Sequence, residues 1–143
     1  MDTIQITNIR AYGYTGALPE ENVLGQWFQV DLTLGLDLAA AGATDDLAQT
    51  HDYRGAIAAT QQLIRAQSFR LIEALASEIA KAVLQTDQRL QQVQVRLTKI
   101  APPIPEFTGQ IAVEICRGRT HLQQPAPVPL SGVAHSGDEF KVG

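Results

Sequence analysis

The 143-residue chain predicts an α+β domain: one four-stranded antiparallel sheet with two helices on one of its faces. Three observations carry that expectation. Four stretches alternate apolar and polar residues with a period of two. Two further stretches, between the second and third of these, repeat apolar residues every three or four positions. Each strand also keeps one polar face, which a parallel sheet covered on both sides would not do.

Ile4 and Ile6 begin the first strand, and residues 12–22 read as a loop. The second strand, 26–37, is the clearest: Phe28, Val30, Leu32, Leu34 and Leu36 alternate with Gln29, Asp31, Thr33, Gly35 and Asp37. The run LAAAGATDDLAQ that follows reads as a loop with room for one helical turn. A helix over about 53–66 places Ile57 with Leu63 and Ile64, and Asp52 stands where an N-cap belongs. The next, over about 70–85, carries Ile72, Leu75, Ile79 and Val83 on one face. Val93, Val95 and Leu97 mark the third strand; Ile111, Val113 and Ile115 mark the fourth. The order is ββααββ within a single domain over residues 1–117. Residues 118–143 hold three of the seven prolines and no sustained period, and are expected to form a disordered or loosely attached tail.

The polar face of this sheet carries Gln29, Thr33, Gln92, Gln94, Thr98 and Gln110, with Asp31, Arg96 and Glu114 among them. A small open sheet also has two edges to protect. Edge-to-edge pairing of subunits into a closed barrel around a wet centre would answer both problems. A sheet facing plain solvent is the other reading, and periodicity alone leaves both open.

Composition narrows the function. The net charge is −4 and the 11 basic residues are scattered, which argues against nucleic acid and against an anionic membrane surface as partners. No apolar run reaches the ~20 residues of a membrane span, and the opening MDTIQITNIR lacks a signal peptide's regions, so a cytoplasmic protein is expected. Cys116 is the single cysteine, which excludes an intrachain disulfide and a Cys-based zinc site, and its place in an apolar strand suggests a small hydrophobe. Only His51 of the three histidines lies within the expected domain, so a two-histidine metal site would need the tail, and neither metal nor cofactor is expected. Acid–base chemistry by Lys, Tyr and Glu is the leading enzymatic possibility.

Four residues could carry it. Lys99 ends the third strand on the covered face, beside the stiff segment 100–105 with its prolines. A lysine beside apolar surface can exchange protons; one whose stem merely runs out to solvent at a sheet rim is the commoner case. Glu73 lies in the first turn of the second helix, where the helix dipole favours a carboxylate that could grip adjacent N–H donors, or simply complement the dipole. Tyr53 opens the first helix, to hold a substrate hydroxyl or to pack. Glu21 sits in the loop after Tyr12, where a functional carboxylate and a solvated one are both common.

Taken in order, the residues resemble the dihydroneopterin aldolase family of folate biosynthesis. Tyr12-Gly13-Tyr14-x-Gly16 with Glu21-Asn22 and Gly25-Gln26 is similar to its opening signature. Asp31-Leu32, Thr44-Asp45-Asp46, Tyr53 and the run 71–76 (LIEALA) follow in step, and Arg96-Leu97-Thr98-Lys99 with Pro102-Pro103-Ile104-Pro105 is the most specific match. The likeness covers about residues 2–117. It implies the tunnelling fold, in which subunits close into a ring and two rings commonly stack, giving a homo-oligomer of four or eight subunits with active sites between them. It implies a pterin substrate. Glu73 and the backbone at Ile72 would grip the pterin, Lys99 would move protons, Tyr53 of a neighbouring chain would orient the trihydroxypropyl side chain, and Glu21 would meet its hydroxyls or a water. The implied reaction is retro-aldol cleavage of dihydroneopterin to hydroxymethyl-dihydropterin and glycolaldehyde, with the ring as electron sink and dihydromonapterin as an epimeric side product.

The chain departs from the family pattern at Thr15, where histidine is common, at His51-Asp52, in place of an aliphatic residue and Asn or His, and at Glu106, where glycine is usual. A glutamate there is strained if the turn needs positive φ. The alternatives weighed are an epimerase acting on dihydroneopterin triphosphate, a non-catalytic pterin-binding ring, and a scaffold whose tail docks a partner.

Overall fold

The computed structural model describes residues 1–130. Its sheet runs β1 (Asp2–Gly13), β2 (Gln26–Leu36), β3 (Gln92–Lys99) and β4 (Ile111–Gly118), in that spatial order with every pair antiparallel. Two long helices, α3 (Tyr53–Ala66) and α4 (Ile72–Gln85), lie between β2 and β3 in the chain. Two short ones, α1 (Pro19–Leu24) and α2 (Ala39–Thr44), fall in stretches read as loops. At six residues each they are too short to show a helical period. Pro19 at the first helical position and Glu20 and Glu21 in the first turn were the only local signals of α1.

The core lies between the sheet and the long helices. Phe28, Val30, Leu32, Leu34, Val93, Val95 and Leu97 are sealed from solvent, and so are Leu75, Ile79, Val83 and Leu84 of α4. Each such side chain contributes about 1.5–3 kcal/mol by burial. β1 runs well past Ile6 because a bulge interrupts its alternation. The register shifts between Ile6 and Ile9, and Asn8 takes φ 62° while its N–H donates to Asp31 Oδ1 at 2.8 Å. Ile4 and Ile6 pack on the core before the bulge, and Ile9 and Ala11 after it, so the apolar parity changes by one residue.

Thr3, Gly35, Gln92 and Gly118 form one row across the sheet, and Ala11, Phe28, Lys99 and Ile111 form another at the opposite end. The polar face is internally tied: Arg10 Nε donates to Gln29 Oε1 at 3.0 Å, and Arg96 lies 3.4 Å from Glu114. Cys116 corrects the sequence expectation, because it sits opposite Gln94 on this polar side and is exposed.

Gly118 belongs to β4, a 3-10 turn covers Arg119–Gln123, and residues 124–130 continue alongside α4. Leu122 packs on the core, Lys81 Nζ donates to the Gln124 carbonyl at 3.0 Å, and the Leu130 N–H donates to the Ser68 carbonyl at 2.8 Å. Prolines at alternate positions 125, 127 and 129 suit an extended segment held through its remaining backbone groups. The rest of the expected tail, residues 131–143, lies outside the described residues.

Glu106, in the β3–β4 connection, takes φ 67° and is exposed, with no hydrogen bond or ion pair among the described residues. Glu106→Gly is therefore expected to stabilise the protein by about 1 kcal/mol, since the left-handed region costs a residue with a Cβ about that much. A denaturant melt checks it, and a lower midpoint for the variant would contradict the strain.

Candidate active site

Glu21 is positioned by its own helix. It stands at the third position of α1, and its Oε1 accepts the N–H of Leu18 at 3.1 Å, half of a capping box. Its other oxygen, Oε2, accepts from Gln26 Nε2 at 2.8 Å and from Lys99 Nζ at 2.8 Å. The carboxylate is not the solvated loop group that its sequence context allows; only 4 % of the residue is exposed. Burial alone would raise its pKa, but the hydrogen bonds from Lys99, Gln26 and the Leu18 N–H, with the lysine's charge, hold it below the usual 4.5.

Lys99 reaches this carboxylate from the last residue of β3, on the same side as Val93, Val95 and Leu97. Its stem leaves the covered face as expected, yet its head meets a buried acceptor instead of running out to water. The pair joins residues 78 positions apart, so no local pattern could reveal it. The sequence marks Gln26 only as part of the opening signature and not as a site residue. Its amide fixes Glu21 from one side, and its Oε1 is buried without a partner among the described residues. Gly16 closes the other side so tightly that a Cβ there would sit 2.5 Å from the Glu21 Oε1.

The start of α4 is tied to the same corner. Thr15 Oγ1 accepts the Phe69 N–H at 3.1 Å, and the Gly16 N–H donates to the Phe69 carbonyl at 2.9 Å. The hydroxyl of Thr15 thus supplies a hydrogen bond at the position where the chain departs from the family pattern. Ile72 is buried and Glu73 exposed in the first turn of α4, whose N-cap residue Leu71 offers no side-chain cap. The N–H groups of that turn point out of the helix with the positive end of its dipole.

Tyr53 stands apart. It is the first residue of α3, behind an N-cap in which Asp52 Oδ1 accepts the Arg54 N–H at 3.1 Å. Hydrogen bonds from the Arg54 side chain and backbone hold the Asp52 pKa at about 2, so the cap stays charged. The tyrosine is 52 % exposed, and its hydroxyl has no partner among the described residues. It shares a surface hollow with Ile4, Leu47, Thr50 and His51. Ile4 belongs to the Leu34–Val93 row, whereas Lys99 belongs to the Ala11–Phe28 row. Seven residues of β1 separate those rows, roughly 23 Å at strand rise. The structure thus brings Glu21 and Lys99 together, ties the turn bearing Ile72 and Glu73 to them through Thr15 and Gly16, and leaves Tyr53 toward the other end of the sheet.

Among the described residues there is no group of three or more His, Cys, Asp and Glu side chains suited to a metal ion, and no helix long and apolar enough to cross a membrane. The sequence model of the dihydroneopterin aldolase (FolB) family matches residues 4–116. A Synechocystis protein named as a probable dihydroneopterin aldolase is 53 % identical over 119 residues, covering 83 % of this chain and all of that protein. The dihydroneopterin aldolase of Bacillus subtilis is 42 % identical over 120 residues, 84 % of this chain and its own full length. Among solved structures, Escherichia coli dihydroneopterin aldolase in complex with neopterin superimposes with a TM-score of 0.74 at 24 % identity, over 82 % of this chain and 100 % of that one.

Proposed function

The chain belongs to the dihydroneopterin aldolase family, and on that premise we propose that it is an aldehyde-lyase of folate biosynthesis that cleaves dihydroneopterin to hydroxymethyl-dihydropterin and glycolaldehyde. The observation that carries the chemistry is the largely buried contact of Lys99 with Glu21. It gives one corner of the fold a donor and an acceptor shielded from bulk water, which is what proton transfer to and from a hydroxyl requires.

In this reading the first turn of α4 receives the pterin. The Glu73 carboxylate takes the amino and ring N–H groups, and the backbone at Ile72 contributes beside it. The trihydroxypropyl side chain then runs toward Glu21 and Lys99. Proton removal from its second hydroxyl, through Lys99 and an ordered water, turns that oxygen into the aldehyde carbonyl. The bond between the first two side-chain carbons breaks, and its electron pair passes into the dihydropterin ring as an enamine. Tyr53 helps return a proton to the first carbon, giving the hydroxymethyl product. Because the substrate supplies the electron sink, the step asks for neither a Schiff base nor a metal. Re-addition of glycolaldehyde to the other face would give dihydromonapterin.

Tyr53 cannot reach Lys99 of its own chain across roughly 23 Å, so the complete site needs a second copy. Strands β1 and β4 are the free edges of the sheet, and pairing of β4 with a neighbour's β1, offset along the strands so that the neighbour's Ile4 end moves toward the Lys99 row, would bring Tyr53 of one chain to Lys99 of the next. We take the assembly to be a closed ring of subunits, alone as a tetramer or stacked as an octamer, and the enzyme to be cytoplasmic. Its working domain corresponds to residues 1–117, and its partners are a pterin and copies of itself.

Product analysis tests the reading. Purified protein with dihydroneopterin under anaerobic conditions is expected to release glycolaldehyde and hydroxymethyl-dihydropterin catalytically, with dihydromonapterin followed in the same chromatogram. Pterin binding without turnover would overturn the aldolase and leave a binding ring; dihydromonapterin without glycolaldehyde would leave an epimerase.

A further inference from the structure

We propose that Arg89, acting with His51 and Asp87, is a positioning residue that sets Tyr53 for a site completed in a neighbouring copy. The inference rests on the reading of Tyr53 as part of a shared site. A tyrosine offered to another chain has a particular problem. Among the described residues nothing holds its hydroxyl, so its place is decided by the backbone that presents it. That backbone is the end of the connection between α2 and α3, a stretch with one 3-10 turn (Leu47–Gln49) and no strand partner.

The structure shows what holds this connection. Arg89, from the turn between α4 and β3, spreads its guanidinium across it: Nη2 donates to the Ala48 carbonyl at 2.6 Å and Nη1 to the Thr50 carbonyl at 3.3 Å. Nη1 also lies 3.4 Å from Asp87 Oδ2, and Asp87 Oδ1 accepts the Arg89 N–H at 2.9 Å, so the arginine is braced by its own turn. Asp87 Oδ2 further accepts from His51 Nδ1 at 3.2 Å. His51 is 2 % exposed, and its Nε2 is buried without a partner among the described residues. Among the described residues the imidazole, two residues before Tyr53, therefore has one hydrogen-bond anchor, Asp87. Arg119 donates to the Asp87 carbonyl and so ties the segment after β4 into the same cluster.

Each of these contacts is modest alone, and Arg89 is half exposed. Their value is geometric. A planar fork bonding two carbonyls two residues apart fixes the path of the backbone in a way that one lysine ammonium cannot. His51 then fixes the adjacent residue from the buried side. A shift of Tyr53 by an ångström would leave the fold and the chain's own Lys99 untouched, yet would spoil the neighbour's site.

Mixed assemblies test this directly. Chains carrying different substitutions are co-expressed with two tags, and assemblies holding both are purified. The control pairs Tyr53→Phe with Lys99→Ala; random assembly should restore activity at about a quarter of the interfaces. Arg89→Met alone should assemble normally and lose tenfold or more in kcat, with a smaller change in KM. Mixed with Lys99→Ala it should recover to the control level, and mixed with Tyr53→Phe it should recover nothing. Should Arg89→Met fail to fold, Arg89→Lys and His51→Val replace it in the same pairings. A silent control removes the shared-site reading and this proposal with it. A working control with an Arg89 variant that is fully active, or that complements Tyr53→Phe, or that stays inactive with Lys99→Ala, overturns the proposal alone.

Discussion

Lys99→Ala is expected to lower kcat by about 10²–10⁴-fold, the range set by loss of a positioned proton-transfer group. It should also destabilise the fold, because Glu21 would keep its buried carboxylate without the ammonium; breaking such a pair typically costs about 3–5 kcal/mol. The two effects can be separated. Glu21→Gln/Lys99→Met removes both charges, so it should recover much of the stability while remaining inactive. A stability recovery together with activity would show that the pair is structural only. So would turnover by Lys99→Ala within about threefold of the parent, since a positioned acid or base contributes far more than that. The pH dependence has a fixed sign. The folded pKa of Glu21 lies below its usual 4.5, so the pair's contribution is complete above pH 4.5 and is lost as pH falls through the lower folded value. The stability gap between the parent and Glu21→Gln should therefore narrow only on the acid side of 4.5.

Gly16→Ala is expected to damage the site although Gly16 itself offers no side chain to substrate. The new Cβ would lie 2.5 Å from Glu21 Cδ and 2.6 Å from its Cβ, well inside contact distance. The backbone cannot step back easily, because the Gly16 N–H donates to Phe69 and its carbonyl accepts from Asn22 Nδ2 at 3.0 Å. Glu21 must move instead and carry its bonds to Gln26 and Lys99 with it. Overpacking of this kind costs about 1–3 kcal/mol, and an ångström of misplacement can cost about 10²-fold in rate. Gly42→Ala is the control: nothing lies within 4 Å of its Cβ, and in helix α2 it should be neutral or slightly stabilising. A Gly16→Ala protein with parental kcat and parental midpoint would show that Glu21 has room to adjust.

The strands and long helices were legible because each repeats one period over eight or more residues, as in Phe28 to Leu36 and Ile72 to Val83. The end of β1 was not, because the bulge at Asn8 shifts the inward set from Ile4 and Ile6 to Ile9 and Ala11. Helices α1 and α2 were too short to repeat anything, so Glu21 was read in a loop. The three prolines of residues 124–130 suggest looseness in the sequence. In place, residues 124–130 lie against α4 through contacts that no local pattern encodes. Lys99 and Glu21 were each visible as candidates, whereas their contact depends on how the β1–β2 connection folds over the end of β3. The separation of Tyr53 from Lys99 is likewise a fact of the register, not of spacing in the chain.

The row that joins Thr3, Gly35, Gln92 and Gly118 sets both ends of the sheet-forming chain at one end of the sheet. Within one copy those ends are three strand spacings apart, about 14 Å. Where β4 of one copy lies beside β1 of the next, the last strand of one copy and the first strand of its neighbour are adjacent, a distance that a short linker can span. A duplicated gene would thus need only a few linking codons to encode two copies in one polypeptide without disturbing either sheet. Once fused, the repeats would be free to diverge, one losing its tyrosine and the other its lysine, with half of the shared sites still intact. Antiparallel strands in even number make this fold a ready substrate for evolution by tandem fusion.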